Sequence, residues 1–531
     1  MIRHWLLTLS MGGRVWRFST SPDAVMVTVS ETGEIFTFGP GLTDPSPEMS
    51  LDSTEAGMEI PIELLLPLDA WAWMAEAEDL ADVRAELALW TEDAVWESRQ
   101  VWVDGRVDSP VYETDGDPIS FTILESPWED RSQIPRATEQ VTGETWPIQA
   151  GYACPEAAIG QYYPYVFGAP GALFADDTVT ELYGWPVILV EIDETTRDNF
   201  TTPIPARVLI AAHAMTATDV LLYNRTTGLS ALVSLTMVTD GLGQRVTVAD
   251  VADTDLQITE DDELWASCQT VSEGGLAAEK GGVARGLGDV AAWLLRQSTL
   301  RLDLGRWSEL TRLNPFKCDF FVNTPVSAWE ILNDTLLVEG VPAFWVRGQD
   351  GYALAVRPFE ADLLSRVPVL DLDPERTGGD RDGTVEVTAA SEIITDLTIL
   401  YGQDMALNQY QRQQVLVPVP TPGALVHPLL ASSYARGQVR RALVLEFAGY
   451  ADPGTAWLMA TLALRASTRT RRGARYFVPV DPRYVPGALV RMTDTEIRWD
   501  QKLCVIVAIN VPAEGEWMQI RLETVVLEDV T

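Results

Sequence analysis

Asp452-Pro453-Gly454, the apolar run Ala456 to Ala466, Gly473, then Tyr476-Phe477-Val478-Pro479-Val480 and Val485-Pro486-Gly487-Ala488-Leu489-Val490-Arg491-Met492-Thr493-Asp494 form the most informative stretch of the chain. Asp before the first turn and Gly beyond the last are start and stop chemistry for a helix. The segments that follow predict strands, with a turn at Val485-Pro486-Gly487. Two further strands, Leu503 to Ile509 and Trp517 to Val526, follow them. Met518, Ile520 and Leu522 alternate with Gln519, Arg521 and Glu523, so the last strand has one dry and one wet face. Leu503 to Ile509 is apolar at nearly every position, which predicts a strand covered on both sides. A helix among strands, without a catalytic constellation, is the layout of a structural module.

Working back from that block, 531 residues predict three to five domains. The expected divisions are 1–130, 131–205, 206–325, 326–430 and 431–531. The fold class expected is mainly β with short helices (α+β), in several small barrel- or sandwich-like domains. In 1–130, Val15 to Phe18, Val25 to Val29, Ile35 to Phe38, Ala85 to Leu89, Val101 to Val103 and Ile119 to Leu124 read as strands, with turns at Thr32-Gly33 and Asp104-Gly105. Asp69 to Leu80 reads as a helix. Residues 131–205 carry Ile134-Pro135, Trp146-Pro147, Tyr163-Pro164-Tyr165-Val166-Phe167-Gly168 and Trp185-Pro186. They read as an ordered connector with exposed aromatic contacts, or else as a loop packed on its own domain.

Farther on, Val208 to Ala211, Val220 to Tyr223 and Leu232 to Met237 are strand-like. Asp289 is expected to cap a helix reaching Ser298, and Ser327 with Glu330 forms a capping box for another that ends at Gly340. Ala343 to Val346 and Tyr352 to Val356 predict a hairpin about Asp350-Gly351. Asp371 to Gly383 reads as a charged loop, Ile393 to Tyr401 as a strand, and Gln403 to Gln414 as a polar projection.

The net charge of −39 and pI near 4.3 oppose affinity for nucleic acid or an anionic membrane, since both require clustered positive charge. Such a surface suits a conduit through which DNA slides without sticking, and equally an assembly kept soluble by repulsion. Residues 41–130 hold 23 Asp plus Glu against Arg84, Arg99 and Arg106, whereas 431–500 hold 11 Arg against six acidic residues. An acidic front and a basic rear could meet between copies, or Arg436, Arg440 and Arg441 could form local pairs. The 18 Trp favour β-rich cores and subunit contacts, or plain core packing. No run approaches the roughly 18 apolar residues of a membrane helix. Met1-Ile2-Arg3-His4-Trp5-Leu6-Leu7 reads as a first strand rather than a signal segment.

Chemistry-bearing motifs are sparse. Cys154, Cys268, Cys318 and Cys504 are isolated and read as buried thiols folded in a reducing compartment; a cluster gathered from distant strands is the alternative. His4, His213 and His427 belong to no metal-binding pattern. The loop from Asp371 has Arg376 where a calcium loop requires Gly. Gly281-Gly282 and Gly286-x-Gly288 lack the Lys-Ser/Thr of a phosphate cradle. No Gly-x-Ser-x-Gly elbow exists, and acidic pairs such as Glu92/Asp93 are unremarkable among 77 acidic residues. No catalytic, cofactor-binding or metal residue is assigned, and the chain is expected not to be an enzyme.

Four segments resemble parts of the baseplate or tail-tip hub proteins of tailed bacteriophages and gene transfer agents. Trp102-Val103-Asp104-Gly105-Arg106-Val107 with Ile119-Ser120-Phe121-Thr122-Ile123 is similar to the hairpin of their tail-tube-like domain. Val326-Ser327-Ala328-Trp329-Glu330-Ile331-Leu332, leading to Asp350-Gly351, is similar to their helix-plus-hairpin segment. Glu392-Ile393-Ile394-Thr395-Asp396-Leu397-Thr398-Ile399-Leu400-Tyr401 resembles the strand entering the late domain. Thr455-Ala456-Trp457-Leu458 and Val485 to Asp494 resemble its helix and strand. Their order spans roughly four-fifths of the chain, and 131–205 has no counterpart.

The resemblance implies a homotrimeric, non-enzymatic hub at the distal end of a virion tail. Its partners would be itself, the tail tube or distal tail protein, and tip or fibre proteins, with DNA only in transit and no membrane insertion. Two tube-like domains per chain are implied, one in 1–130 and one in 206–325 or near Ile393 to Tyr401. Strands holding Val101, Val103, Ile119, Phe121 and Ile123 are the candidates for a sheet that completes a ring with copies of itself. The alternative is a tail adhesin that binds or cleaves surface carbohydrate through exposed aromatics, although the repeats common in adhesins are absent.

Overall fold

The structure is a computed structural model that describes residues 2–11, 13–45, 47–50, 59–67, 80–112, 118–124, 133–147, 152–172, 183–193, 205–215, 220–252, 256–268, 285–296, 316–338, 343–347, 352–356, 369–377, 379–387, 393–437, 439–468, 471–481, 483–511 and 517–525. It is mostly β, in several small sheets with short helices, as the sequence patterns imply.

The first sheet has eight strands. Arg3–Met11 pairs with Arg14–Ser19 and with Arg84–Thr91, and beyond the latter lie Gln100–Val111, Ile119–Leu124 and Glu59–Leu64. Val25–Thr28 and Ile35–Pro40 extend the opposite side. The sheet curls until its ends approach. Leu42 bridges Leu64, the Thr43 N–H donates to the Glu63 carbonyl at 3.0 Å, and the Leu65 N–H donates to the Gly41 carbonyl at 2.7 Å. Only this single bridge joins the two ends among the described residues, so the orders remain those of open sheets rather than a closed barrel.

Asp104-Gly105 does not turn the chain. Gln100–Val111 runs straight through it, with Glu86 facing Asp104 and Ala85 facing Gly105. A two-residue hairpin needs positive φ; here extended backbone lets Arg84 grip Asp104 through two hydrogen bonds of 3.0 and 2.9 Å. The expected helix Asp69 to Leu80 lies outside the described residues apart from Leu80, which is buried.

The last strands do not form a core of their own. Arg472–Pro479, Leu489–Asp494, Trp499–Asn510 and Trp517–Thr524 join Val369–Leu372 and Asp380–Val387 in a seven-stranded sheet. Glu48–Ser50 of the first region also pairs with Trp499–Asn510. One apolar cluster accordingly holds Trp5, Trp102, Ile119 and Phe121 together with Tyr476, Met492, Ile506 and Ile520. As expected, Met518, Ile520 and Leu522 are buried on one face of the last strand. Asp371 to Gly383 is no loop: it folds as strand Val369–Leu372, a helical turn Pro374–Thr377, and strand Asp380–Val387. Arg381 fixes that strand by bridging Glu496 at 2.6 Å and Asp494 at 3.8 Å.

A second cluster forms the centre of the molecule. Asp452 caps the helix Pro453–Ser467, its carboxylate accepting the Thr455 N–H at 2.7 Å. The helix stops at Thr468, however, whose hydroxyl and N–H both donate to the Leu464 carbonyl in the last turn, and Gly473 lies within the next strand. Beneath it a four-stranded sheet contains Asp396–Asp404, Gln409–Val417, Leu425–Val426 and Ala442–Phe447. The polar stretch from Gln403 is the end of the first two of these strands, with Asp404 and Arg412 turned inward.

The capping box at Ser327 and Glu330 is present, but the turns after it widen into a π-helix, Ile331–Leu336. Leu287–Arg296 starts two residues before Asp289, whose carboxylate sits in the positive first turn instead of at the cap. The hairpin Ala343–Arg347 with Tyr352–Val356 is antiparallel as expected; its turn, Asp350-Gly351, lies outside the described residues, as do Ser298 and Gly340. A third cluster packs two sheets on each other. One contains Ile188–Asp193, Pro205–Ala211, Arg245–Ala252 and Leu235–Thr239. The other contains Leu264–Cys268, Val220–Asn224 and Leu229–Val233. The expected strand Leu232 to Met237 is split at Ser234, where the chain passes from one sheet to the other.

Candidate functional site

Ile119, Phe121 and Ile123 point into the core of the eight-stranded sheet, on a strand bonded on one side to Glu59–Leu64 and on the other to Gln100–Val111. Val103 is buried and Val101 half-buried, on the half of their strand that pairs with Arg84–Thr91. The register slips there, so that Leu87 faces Val103 while Ala88 faces Val101, and Trp102 is the extra, bulged residue. The backbone of Ile119–Leu124 therefore has no ladder groups to spare. It is an inner strand of its sheet.

The aromatic-rich segment is packed, not displayed. Trp146, Tyr163, Tyr165, Phe167 and Trp185 are all buried, so these aromatics are not exposed contacts. The polar ends of the two tryptophans and two tyrosines each have a partner. The Trp146 Nε1–H donates to the Tyr163 hydroxyl at 3.2 Å, and that hydroxyl donates to Asp240 at 3.0 Å. Tyr165 donates to Glu139 at 2.9 Å, and the Trp185 Nε1–H donates to the Ile210 carbonyl at 2.9 Å. Burial raises both tyrosine pKa values, and the adjacent carboxylates push them further.

His213 lies at the same junction. Its Nε2 accepts the Val166 N–H at 3.0 Å, which places the ring proton on Nδ1, 3.0 Å from the Ala214 carbonyl. Desolvation lowers its pKa to about 4, so near neutrality it is an uncharged wedge whose basic nitrogen is already occupied. Cys154 is half-buried and the other three thiols are buried; desolvation raises Cys504 to about 12 and Cys154 to about 11. His427 is buried against Trp457. Among the described residues no cluster of three His, Cys, Asp or Glu has the geometry to hold a metal ion.

A cleft opens where three sheets meet, lined among others by Gly184, Phe321, Gln403 and Arg412. Its charged groups act as joints. Asp319 accepts Arg285 Nε at 2.7 Å, a second guanidinium nitrogen of Arg285 at 2.8 Å, and the Ala169 N–H at 2.8 Å. Arg412 donates to the Ala172 and Ala451 carbonyls at 2.9 and 3.3 Å. Gly168 passes so close that a Cβ would lie 2.0 Å from the Cys318 carbonyl oxygen, at a φ of +65°.

The three arginines of the acidic front are committed within the chain, Arg84 to Asp104, Arg99 to Glu86 and Arg106 to Asp82. In the basic rear, Arg440, one of the three arginines expected to pair locally, pairs with Asp396, and Arg471 with Glu523 and Arg483 with Asp481 pair within the chain as well. The sequence pointed to charge but could not reveal these partners, because most lie tens of residues away.

No family model matches this chain, and neither does any curated protein. Among solved structures it is similar to the 43 kDa tail protein of prophage MuSo2 from Shewanella oneidensis, at 9% identity over 98% of each chain and a TM-score of 0.37. It is similar to a chain of the virion of a native gene transfer agent particle, at 12% identity over 70% of this chain and 86% of that one, with a TM-score of 0.38. A chain of the phage P2 baseplate in its activated conformation shares 9% identity over 60% of this chain and 81% of that one, with a TM-score of 0.16.

Proposed function

We propose that this chain is a structural protein of a phage-like virion tail, a hub at the distal end that joins the tail tube to tip or fibre proteins and surrounds the path of the departing DNA. The observation that carries this reading is the conformation of the four segments quoted above. Trp102–Val107 and Ile119–Ile123 lie on antiparallel neighbours, and Ser327 opens a helix that precedes a hairpin. Ile393 to Tyr401 leads into a central strand, and Thr455–Leu458 opens a helix followed by the Leu489–Asp494 strand. Each has the element type that the resemblance to tail hubs implies, and they occur in the same order. The net charge of −39 supports a passage that does not hold DNA. The adhesin reading relied on exposed aromatics in 131–205, and the burial of Trp146, Tyr163, Tyr165, Phe167 and Trp185 removes that support.

A homotrimer in which two sheets per chain contribute to a ring belongs to the same proposal. Sedimentation of the purified chain at micromolar concentration, alone and with tail-tube protein, tests it. A compact trimer, or one formed on contact with the tube, is the expected result; a monomer under both conditions rejects the hub.

A further inference from the structure

Sheet edges expose unpaired N–H and C=O groups that recruit other strands, so folded chains usually blunt them with charge, proline or brevity. In the sheets of four or more strands here, nearly every edge is blunted. Glu59–Leu64 carries Pro61 and two glutamates, and Asp380–Val387 is densely charged. Val369–Leu372 carries Asp371 and Ala442–Phe447 carries Glu446. Tyr152–Ala153, Trp185–Pro186 and Leu425–Val426 are two residues long.

Two edges have no such guard. One is Val25–Thr28, bonded among the described residues to Ile35–Pro40 alone, with Met26 70% exposed. The other is the ribbon formed by Leu229–Val233 and Leu235–Thr239, each, among the described residues, the outer strand of its own sheet. From 226 to 239 there is no charged residue and no proline, and Leu232 is 66% exposed.

We propose that Val25–Thr28 of one copy adds as a strand to the Leu229–Thr239 ribbon of a second copy. With a net charge of −39 per chain, most edge-to-edge approaches bring like charges together. These two edges do not, and their lengths match, four residues against five in each half of the ribbon. Because the two surfaces differ, the contact is head-to-tail and repeats from copy to copy until the ring closes. The inference rests on the self-assembling hub reading and specifies where its copies join.

The test uses full chains carrying Met26→Cys or Leu232→Cys, mixed in equal amounts and treated with a short bis-maleimide under conditions in which the unmodified chain assembles. A covalent two-chain product in the mixture, at least five-fold above that of either variant alone, is expected. Leu232→Lys is also expected to shift the sedimenting species to monomer with an unchanged circular dichroism spectrum. Assembly without mixed product, with Leu232→Lys still assembling, overturns this interface while leaving the hub intact. Efficient cross-linking of Leu232→Cys to itself would mean two-fold pairing of the ribbon and would also overturn it. A chain that stays monomeric even with tube protein removes both the interface and the hub.

Discussion

The two larger cores are built by opposite means. The core around Trp5 and Trp102 joins the first and last parts of the chain and is mostly apolar; among the described residues its indole N–H groups at Trp5 and Trp102 have no hydrogen-bond partner. The central core around Tyr163, Phe167 and Phe447 borders a set of buried polar joints, from Tyr163–Asp240 and Tyr165–Glu139 to His213 and Arg285–Asp319. Apolar area does most to specify the first, where Tyr476–Asp494 is a buried polar contact, while hydrogen-bond geometry specifies the second. Apolar packing tolerates repacking at constant volume, whereas a buried polar network fails when one member is lost. The central core should therefore be the brittle half.

The largest effect should come from Gly168→Ala. A Cβ there meets the Cys318 carbonyl oxygen at 2.0 Å in a left-handed backbone, so either the Phe167–Phe320 strand pair or the turn must move. A loss above about 4 kcal/mol, seen as failure to fold or a collapsed urea midpoint, is expected. Asp319→Asn comes next. It leaves the Arg285 guanidinium, 12% exposed, facing a neutral amide and should cost about 3 kcal/mol in urea unfolding.

A pH titration separates the two cores further. His213 titrates near 4 in the folded chain and near 6.5 unfolded. Its contribution is complete above the unfolded value and declines as pH falls from about 6.5 to 4, where only the unfolded chain gains the proton. The total is on the order of 3 kcal/mol, and His213→Gln should flatten that part of the stability curve. An unchanged slope would show that His213 does not link the central core to pH. The smallest effect belongs to the apolar core. Trp102→Phe removes an unpartnered indole N–H at the cost of some volume, and the opposed terms should leave stability within about 1 kcal/mol of the unmodified chain.

The difference between the cores also explains what could be read from sequence. Strands in the apolar core announce themselves by alternation, as Met518, Ile520 and Leu522 do, and Ile119 to Leu124 was delimited to the residue. The capping chemistry of Asp452 and of Ser327 with Glu330 was equally local. The aromatic segment obeys no period. Tyr163, Tyr165 and Trp185 are buried because Asp240, Glu139 and the Ile210 carbonyl wait for them from 25 to 77 residues away. Asp104-Gly105 misled for the same reason, since ladder pairing with Glu86 and Ala85 on the neighbouring strand keeps the backbone extended against the local turn signal. The unguarded ribbon 226–239 could have been noticed as a run without charge. That it forms the edge of two sheets required the pairing of Leu229–Val233 and Leu235–Thr239 to be known.

Whether the chain occupies the end of a virion tail is tested most directly by electron micrographs of particles labelled with an antibody raised to it. The account predicts label confined to the distal tip, on particles whose tails stay intact. Label along the tail shaft, on the capsid, or absent from particles altogether would contradict it.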